Sequence, residues 1–186
     1  MPRTRSTARR IPPKRSKPQE AGARSREAVR PTAELDELWK RLLPEGLVES
    51  VYAMAPIRRV ALVKEGAPPE AVDMLAQRMA ITRERLYTML GVPRATIKRK
   101  QREGSRLSQD ESERVVGLAR LVGQVEQMVH DSGDPKGFDA GRWVAAWLDR
   151  PLPALGGVQP STLMDTAEGR EIVSGLLAQM QSGTFA

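Results

Sequence analysis

The fold is best predicted from residues 82–104, TRERLYTMLGVPRATIKRKQREG. Thr82 can cap a short helix that ends at Gly91, and Pro93 opens a second helix that continues to Gly104. Two short helices joined by a tight turn that contains glycine have the layout of a helix-turn-helix. Gly91 suits the turn because a side chain would resist the positive φ needed at the end of the first helix. The stretch therefore predicts a helix-turn-helix within an all-α fold.

The second helix of this motif is rich in basic side chains. With its apolar face packed inward, it would present five residues outward: Arg94, Thr96, Lys98, Arg99 and Arg102. Arginine and lysine suit phosphates and guanine edges, and threonine can contact either, so these five are the predicted DNA-binding residues. Two features favour an ordinary helical hairpin with a solvated basic face instead. Tyr87 is bulky where such motifs usually have a small residue, and Gln101 is polar where a core contact would fit.

The chain before the motif also has apolar residues at helical spacing. Two short helices precede Pro56, and Pro68 with Pro69 opens another helix just before the motif. Residues 60–63, VALV, are compatible with a strand or with part of a helix over 57–65. Because the sequence offers no second convincing strand for pairing, we predict the helix.

The chain after the motif predicts one long helix and then a smaller helical region. Ser108 and Glu111 have the spacing of a capping box ahead of a helix that continues to about His130. The turn-rich run 132–137 then marks a boundary between two subdomains. Beyond it we predict a helix over 140–148, a bend at 151–157, a short helix from Pro160, and a final helix capped by Asp165 or Thr166.

The positive charge of the chain is concentrated in its first residues. Residues 1–32 contain ten Arg or Lys against two Glu, a net +8, whereas the whole chain carries +7, so the remainder sums to −1. This segment has five prolines and few large apolar residues, so it cannot bury enough surface to order itself. We predict a disordered basic arm over 1–32, a helical region over 33–131, and a third region over 132–186. An organelle transit peptide would have a similar composition, but no amphipathic period continues through the prolines.

The sequence lacks the residues that several classes of function require. There is no cysteine, and His130 is the single histidine. No residues have metal-ligand spacing, and Gly156-Gly157 lacks the lysine and hydroxyl residue of a phosphate-binding loop. Asp165 and Glu168 lie where helix capping explains a carboxylate without catalysis. We therefore predict a non-enzymatic protein without metal or cofactor. The absence of an apolar span and of cysteine favours the cytoplasm.

Two series of motifs resemble a known family of antitoxins. Residues 90–97, LGVPRATI, with 103–108 and 111–114, resemble the N-terminal part of the Xre/MbcA/ParS-like antitoxins. Residues 147–151, WLDRP, followed by Leu155-Gly-Gly157 and a further proline, resemble their C-terminal toxin-binding domain. The resemblance covers about residue 56 to the C-terminus. The chain departs from the family in its long basic tail and in an extra helical region before Pro56.

This resemblance implies a type II antitoxin of the RES–Xre kind. Such an antitoxin dimerises, covers the NAD site of a RES-domain toxin that consumes NAD, and represses its own operon by binding operator DNA. In the family, the end of the last helix and the tail after it reach the NAD pocket of the toxin. Carried over to this chain, the toxin-binding residues are Gln181, Ser182, Gly183, Thr184, Phe185 and Ala186. The alternatives are a stand-alone helix-turn-helix regulator without a toxin, and a structural adaptor whose tail binds nucleic acid or anionic surfaces.

Overall fold

The computed structural model of the chain describes residues 37–42, 46–133 and 135–182. The predicted basic arm, residues 1–32, lies outside these ranges, as do Gly183, Thr184, Phe185 and Ala186. Residues 37–42 are helical. The helices after them are α1 (Leu47–Ala53), α2 (Pro56–Glu65), α3 (Glu70–Arg78), α4 (Arg83–Leu90), α5 (Arg94–Glu103), α6 (Gln109–Asp131), α7 (Ala140–Leu148) and α8 (Ala167–Gln181). Two short 3₁₀ turns, Pro153–Leu155 and Pro160–Leu163, separate α7 from α8.

The all-α prediction is confirmed. Residues 60–63 lie inside α2, so the choice of a helix over a strand was correct there. In the part of the chain that the structure describes, the one β-type contact is a bridge between Leu152 and Val158. None of the described helices is both long and apolar enough to cross a membrane.

The long helix α6 is the centre of the fold. It has 23 residues, and α1, α2, α7 and α8 all pack against it. Its start is the predicted capping box: the Ser108 hydroxyl accepts from the Glu111 N–H at 3.2 Å, and the Glu111 carboxylate accepts from the Ser108 N–H at 2.7 Å. Two of the four unpaired donors at the helix start are thereby satisfied. The buried apolar residues before and after the turn at 132–137 form one continuous core around α6.

Two glycines allow helices to approach one another closely. A Cβ atom on Gly123 of α6 would lie 2.6 Å from the Tyr52 Cβ atom of α1. A Cβ atom on Gly141, near the start of α7, would lie 2.1 Å from the carbonyl oxygen of Arg78 at the end of α3. Both distances are shorter than the closest approach of a Cβ atom to another carbon or oxygen atom. These helix crossings therefore require glycine.

The helix caps and the tryptophans after residue 137 add detail to the helices that the sequence predicted there. Thr166, one of the two predicted caps, accepts a hydrogen bond from the Gly169 N–H at 3.0 Å. Asp139 caps α7 by accepting from the Arg142 N–H at 3.0 Å, a contact that the sequence analysis missed. The rings of Trp143 and Trp147 stack with centroids 6.0 Å apart. Trp147 is buried and Trp143 is partly buried against the core, so both rings contribute to packing.

Candidate binding surfaces

The helix-turn-helix forms as the sequence predicted. Thr82 caps α4 by accepting from the Arg85 N–H at 3.2 Å, and Gly91 ends it with a φ of 60°. Leu90 and Ile97 are fully buried, which fixes the inward faces of α4 and α5 against a shared core. The outward face of α5 is thereby determined.

The five predicted DNA-binding residues lie along the outer side of α5 to different degrees. Arg94, Arg99 and Arg102 are exposed, whereas Thr96 and Lys98 are half-buried. Arg94 and Arg99 each face a carboxylate, on Glu84 at 3.3 Å and on Glu103 at 2.8 Å. Exposed ion pairs of this kind contribute about 0.2–1 kcal/mol, so a phosphate can replace the carboxylate at little cost. Arg102 has no hydrogen bond or ion pair within the described residues.

The two features that favoured an ordinary hairpin have a packing explanation. The side-chain amide of Gln101 donates to the Asp73 carboxylate at 3.2 Å, and Asp73 also pairs with Arg83 at 2.9 Å. This network joins α5 to α3 where an apolar contact was expected. Tyr87 is buried, and its burial raises the pKa of the phenol. Gln101 therefore supports the placement of α5, and Tyr87 is part of the buried core.

Arginines attach this motif to the rest of the protein. The Arg114 guanidinium, on α6, donates to the carbonyl oxygens of Leu90 at 3.2 Å and Gly91 at 3.0 Å. These carbonyls end α4 and have no partner within the helix, so Arg114 completes the turn. Arg85 of α4 donates to the Ala145 carbonyl at 3.2 Å and pairs with Asp149 at the end of α7. No sequence signal identified these contacts, because each arginine lies on the polar side of its own helix.

The last helix is joined to α6 by a second arginine contact. Arg170 pairs with Glu113 of α6 at 2.7 Å and donates to the Met164 carbonyl at 3.1 Å. Burial is the main effect that lowers the pKa of this guanidinium, and the Glu113 carboxylate opposes it. The start of α8 is therefore firmly placed against the central helix.

The end of α8 carries the predicted toxin-binding residues. Gln181 and Ser182 are exposed, and the Ser182 hydroxyl donates to the Gln179 carbonyl at 2.9 Å. Met180 and Ile172, on the same helix, are 41% and 43% exposed. Gly183, Thr184, Phe185 and Ala186 lie outside the described residues. The assignment of all six to a toxin stays a prediction.

Comparison with known proteins identifies both halves of this arrangement. Residues 58–120 match the Xre-like helix-turn-helix domain of antitoxins, and residues 137–183 match the Xre/MbcA/ParS C-terminal toxin-binding domain. The "Prs ADP-ribosylating antitoxin" of Sphingobium sp. (strain YBL2) is 41% identical over 143 residues, which are 77% of this chain and 90% of that protein. The chain belongs to the Xre/MbcA/ParS-like antitoxin family. The resemblance seen in the sequence is thus confirmed.

More distant relatives carry the name of the same family. The antitoxin Xre of Yersinia enterocolitica is 26% identical over 67% of this chain and 78% of that protein. The antitoxin Xre of Photorhabdus laumondii is 23% identical over 66% of the chain and 78% of its own length. The chain is therefore an antitoxin of a toxin–antitoxin pair, and its partner is a toxin.

The structure also shows where the residues that could serve in catalysis or metal binding lie. His130 is exposed at the end of α6, 3.8 Å from the Asp131 carboxylate. Among residues 37–42, 46–133 and 135–182, no three His, Cys, Asp or Glu side chains lie close enough to hold a metal ion.

Proposed function

We propose that this antitoxin inhibits a RES-domain toxin by covering the NAD site of that toxin. The main support is the match of residues 137–183 to a toxin-binding domain, because this span includes the whole of α7 and α8. The name of the Sphingobium relative adds the chemistry, since ADP-ribosylation transfers the ADP-ribose group from NAD. A partner of that kind has an NAD pocket that a bound protein segment can block.

Inhibition of this kind needs binding energy and no chemical step by the antitoxin. The exposed end of α8 and the residues after it, Gln181 to Ala186, are the segment proposed to enter the pocket. Phe185 would supply the large apolar contact that an otherwise small and polar tail lacks. The antitoxin is therefore non-enzymatic and uses no cofactor or metal in this proposal. By mass action, the free toxin falls as the antitoxin concentration exceeds the dissociation constant.

The proposal includes repression of the antitoxin's own operon through α5. Arg94, Lys98 and Arg102 would contact phosphates and base edges from the major groove. A homodimer would present two copies of α5 to half-sites about 34 Å apart, one turn of DNA. The cytoplasm, where NAD and the operon are both present, is the proposed location.

The decisive experiment removes Gly183–Ala186 from the full chain. The probe is the purified product of the reading frame adjacent to the antitoxin gene, and the measurement is its NAD consumption as antitoxin is added. We expect inhibition to be lost while the thermal unfolding of the antitoxin stays unchanged, because the deleted residues follow the last described helix. Removal of Met1 to Thr32 is the matched truncation and should leave inhibition intact. Undiminished inhibition by the C-terminal truncation would rule out the plug.

The exposed cationic face of α5 also favours a second candidate, a DNA-binding regulator without a toxin. The two candidates differ in one observation. A stand-alone regulator binds its upstream DNA but does not bind the adjacent gene product, whereas the antitoxin binds that product with or without DNA.

A further inference from the structure

A long groove lies between α2, α6 and α8. Its volume is about 450 Å³. The floor is one face of α6 from Gln109 to Gln124, and the walls are the side chains of α2 and the first half of α8. At 1.5 Å per helical residue, this floor is roughly 22 Å long. A groove of these proportions accommodates a helix of a partner protein, which would lie along α6 between the two walls.

The wall formed by α2 is an apolar surface that the described protein does not cover. Leu62 is the one buried residue of this ten-residue helix. Ile57 is 76% exposed and Val60 is 47% exposed, although both are large and apolar. Val60 and Val63 line the groove, with Ile57 close by at the start of the same helix. Neighbouring exposed apolar side chains of this kind mark sites where a protein binds.

The groove also contains two cations that have no partner among the described residues and can bind an anionic partner. Four of its lining residues are basic and two are acidic. Arg170 pairs with Glu113, and Arg59 donates to the carbonyl oxygens of Val51 and Tyr52. The other two basic residues, Lys64 and Arg120, have no hydrogen bond or ion pair in the described part of the chain. The groove therefore combines an apolar wall with an uncompensated positive charge.

We propose that this groove is a second contact for the toxin and binds an acidic amphipathic helix of that protein. This inference rests on the proposed function. Apolar side chains of the toxin helix cover Ile57 and Val60, and its carboxylates pair with Lys64 and Arg120. The toxin is the favoured occupant because α8, one wall of the groove, lies within the span that matches the toxin-binding domain. The groove thus extends the toxin-binding surface onto α2, outside that span.

Two other occupants fit the surface less well. A second copy of the chain would bring its own Lys64 and Arg120 toward the same two cations, and like charges in contact are unfavourable. Nucleic acid would pair with the cations but leave Ile57 and Val60 against a polar backbone. An acidic amphipathic helix satisfies both the charge and the apolar wall.

The test measures the dissociation constant between the full-length antitoxin and the purified product of the adjacent reading frame. We expect K64E/R120E to weaken binding about tenfold or more in low salt, with a smaller loss in high salt because exposed charges are screened. I57S/V60S should weaken binding by about tenfold at either salt concentration. The matched control is K40E/R41E, which reverses two exposed charges outside the groove. This control should bind like the wild type.

Three results would overturn the inference, and each is distinguishable. If the groove variants keep wild-type affinity while removal of Gly183–Ala186 abolishes inhibition, the proposed function stands and the groove is not a toxin contact. If I57S/V60S instead converts an antitoxin dimer into a monomer in light scattering, without a change in toxin affinity, a second copy covers the groove. If the wild-type chain does not bind the adjacent gene product, the proposed function fails together with the inference.

Discussion

Helices α2 and α5 are alike in burial and opposite in surface chemistry. Each has ten residues, and each has one buried side chain, Leu62 in α2 and Ile97 in α5. The remaining surface of α5 is charged, with basic residues along its outer face. The surface of α2 instead exposes two large apolar side chains. Each helix is therefore attached to the core by one buried side chain, but the surface of α5 suits a polyanion and the surface of α2 suits a protein.

The largest effect expected from this comparison concerns the two anchoring side chains. Both are 0% exposed, so I97A and L62A should each lower the free energy of unfolding by about 2–4 kcal/mol through lost burial and a remaining cavity. Urea denaturation of the full chain measures both losses. I57A is the control: its side chain is mostly exposed, and we expect a change within about 0.5 kcal/mol. A loss for I57A as large as that for L62A would mean that α2 is already covered in the free protein.

A smaller effect concerns the cations of the two helices. We expect R94A/K98A to weaken binding to the operon's own upstream DNA about tenfold or more, and to reduce the slope of log affinity against log salt by roughly two units. K64A/R120A removes the same number of charges from the groove and should leave DNA affinity almost unchanged. Fluorescence anisotropy at several salt concentrations gives both values. If only the removal of Met1 to Thr32 changes affinity, α5 is a scaffold.

The smallest effect concerns the carboxylates that pair with α5. Glu84 and Glu103 lie 3.3 Å and 2.8 Å from Arg94 and Arg99. Neutralising them in E84Q/E103Q should strengthen DNA binding by a few-fold, because the arginines no longer have to exchange a carboxylate for a phosphate. The same anisotropy titration measures the change. The control is E171Q, which neutralises a carboxylate of the groove. An equal gain in DNA affinity in that variant would show a general effect of net charge.

Local sequence signals predicted much of the helical framework because the residues involved act within one turn of the chain. Thr82, Gly91 and the capping box at Ser108 lie at the ends they were predicted to define. Three of the five residues predicted to face outward on α5, Arg94, Arg99 and Arg102, are exposed, because the buried side of a short helix determines its exposed side. Thr96 and Lys98 are half-buried. The cap at Asp139 was missed, although it has an ordinary capping residue type.

Contacts between distant residues were not predictable from these patterns. Arg114 lies 23 and 24 residues from the carbonyls that it caps, and Arg170 lies 57 residues from Glu113. A solvent-facing arginine has the same sequence signature as an arginine that joins two helices. The groove was missed for a similar reason, since Ile57 and Val60 have the spacing of an ordinary core face.

The helices, the helix-turn-helix and the resemblance to an antitoxin could be predicted from the sequence, because caps, turns and motifs depend on neighbouring residues. Which apolar residues are covered became clear from the packing of the helices. Within the described ranges, Ile57 and Val60 remain exposed beside two cations that have no ion pair there, and the arginines of α4, α6 and α8 form contacts between helices. Burial and pairing depend on where remote segments pack, and that arrangement is a property of the whole fold.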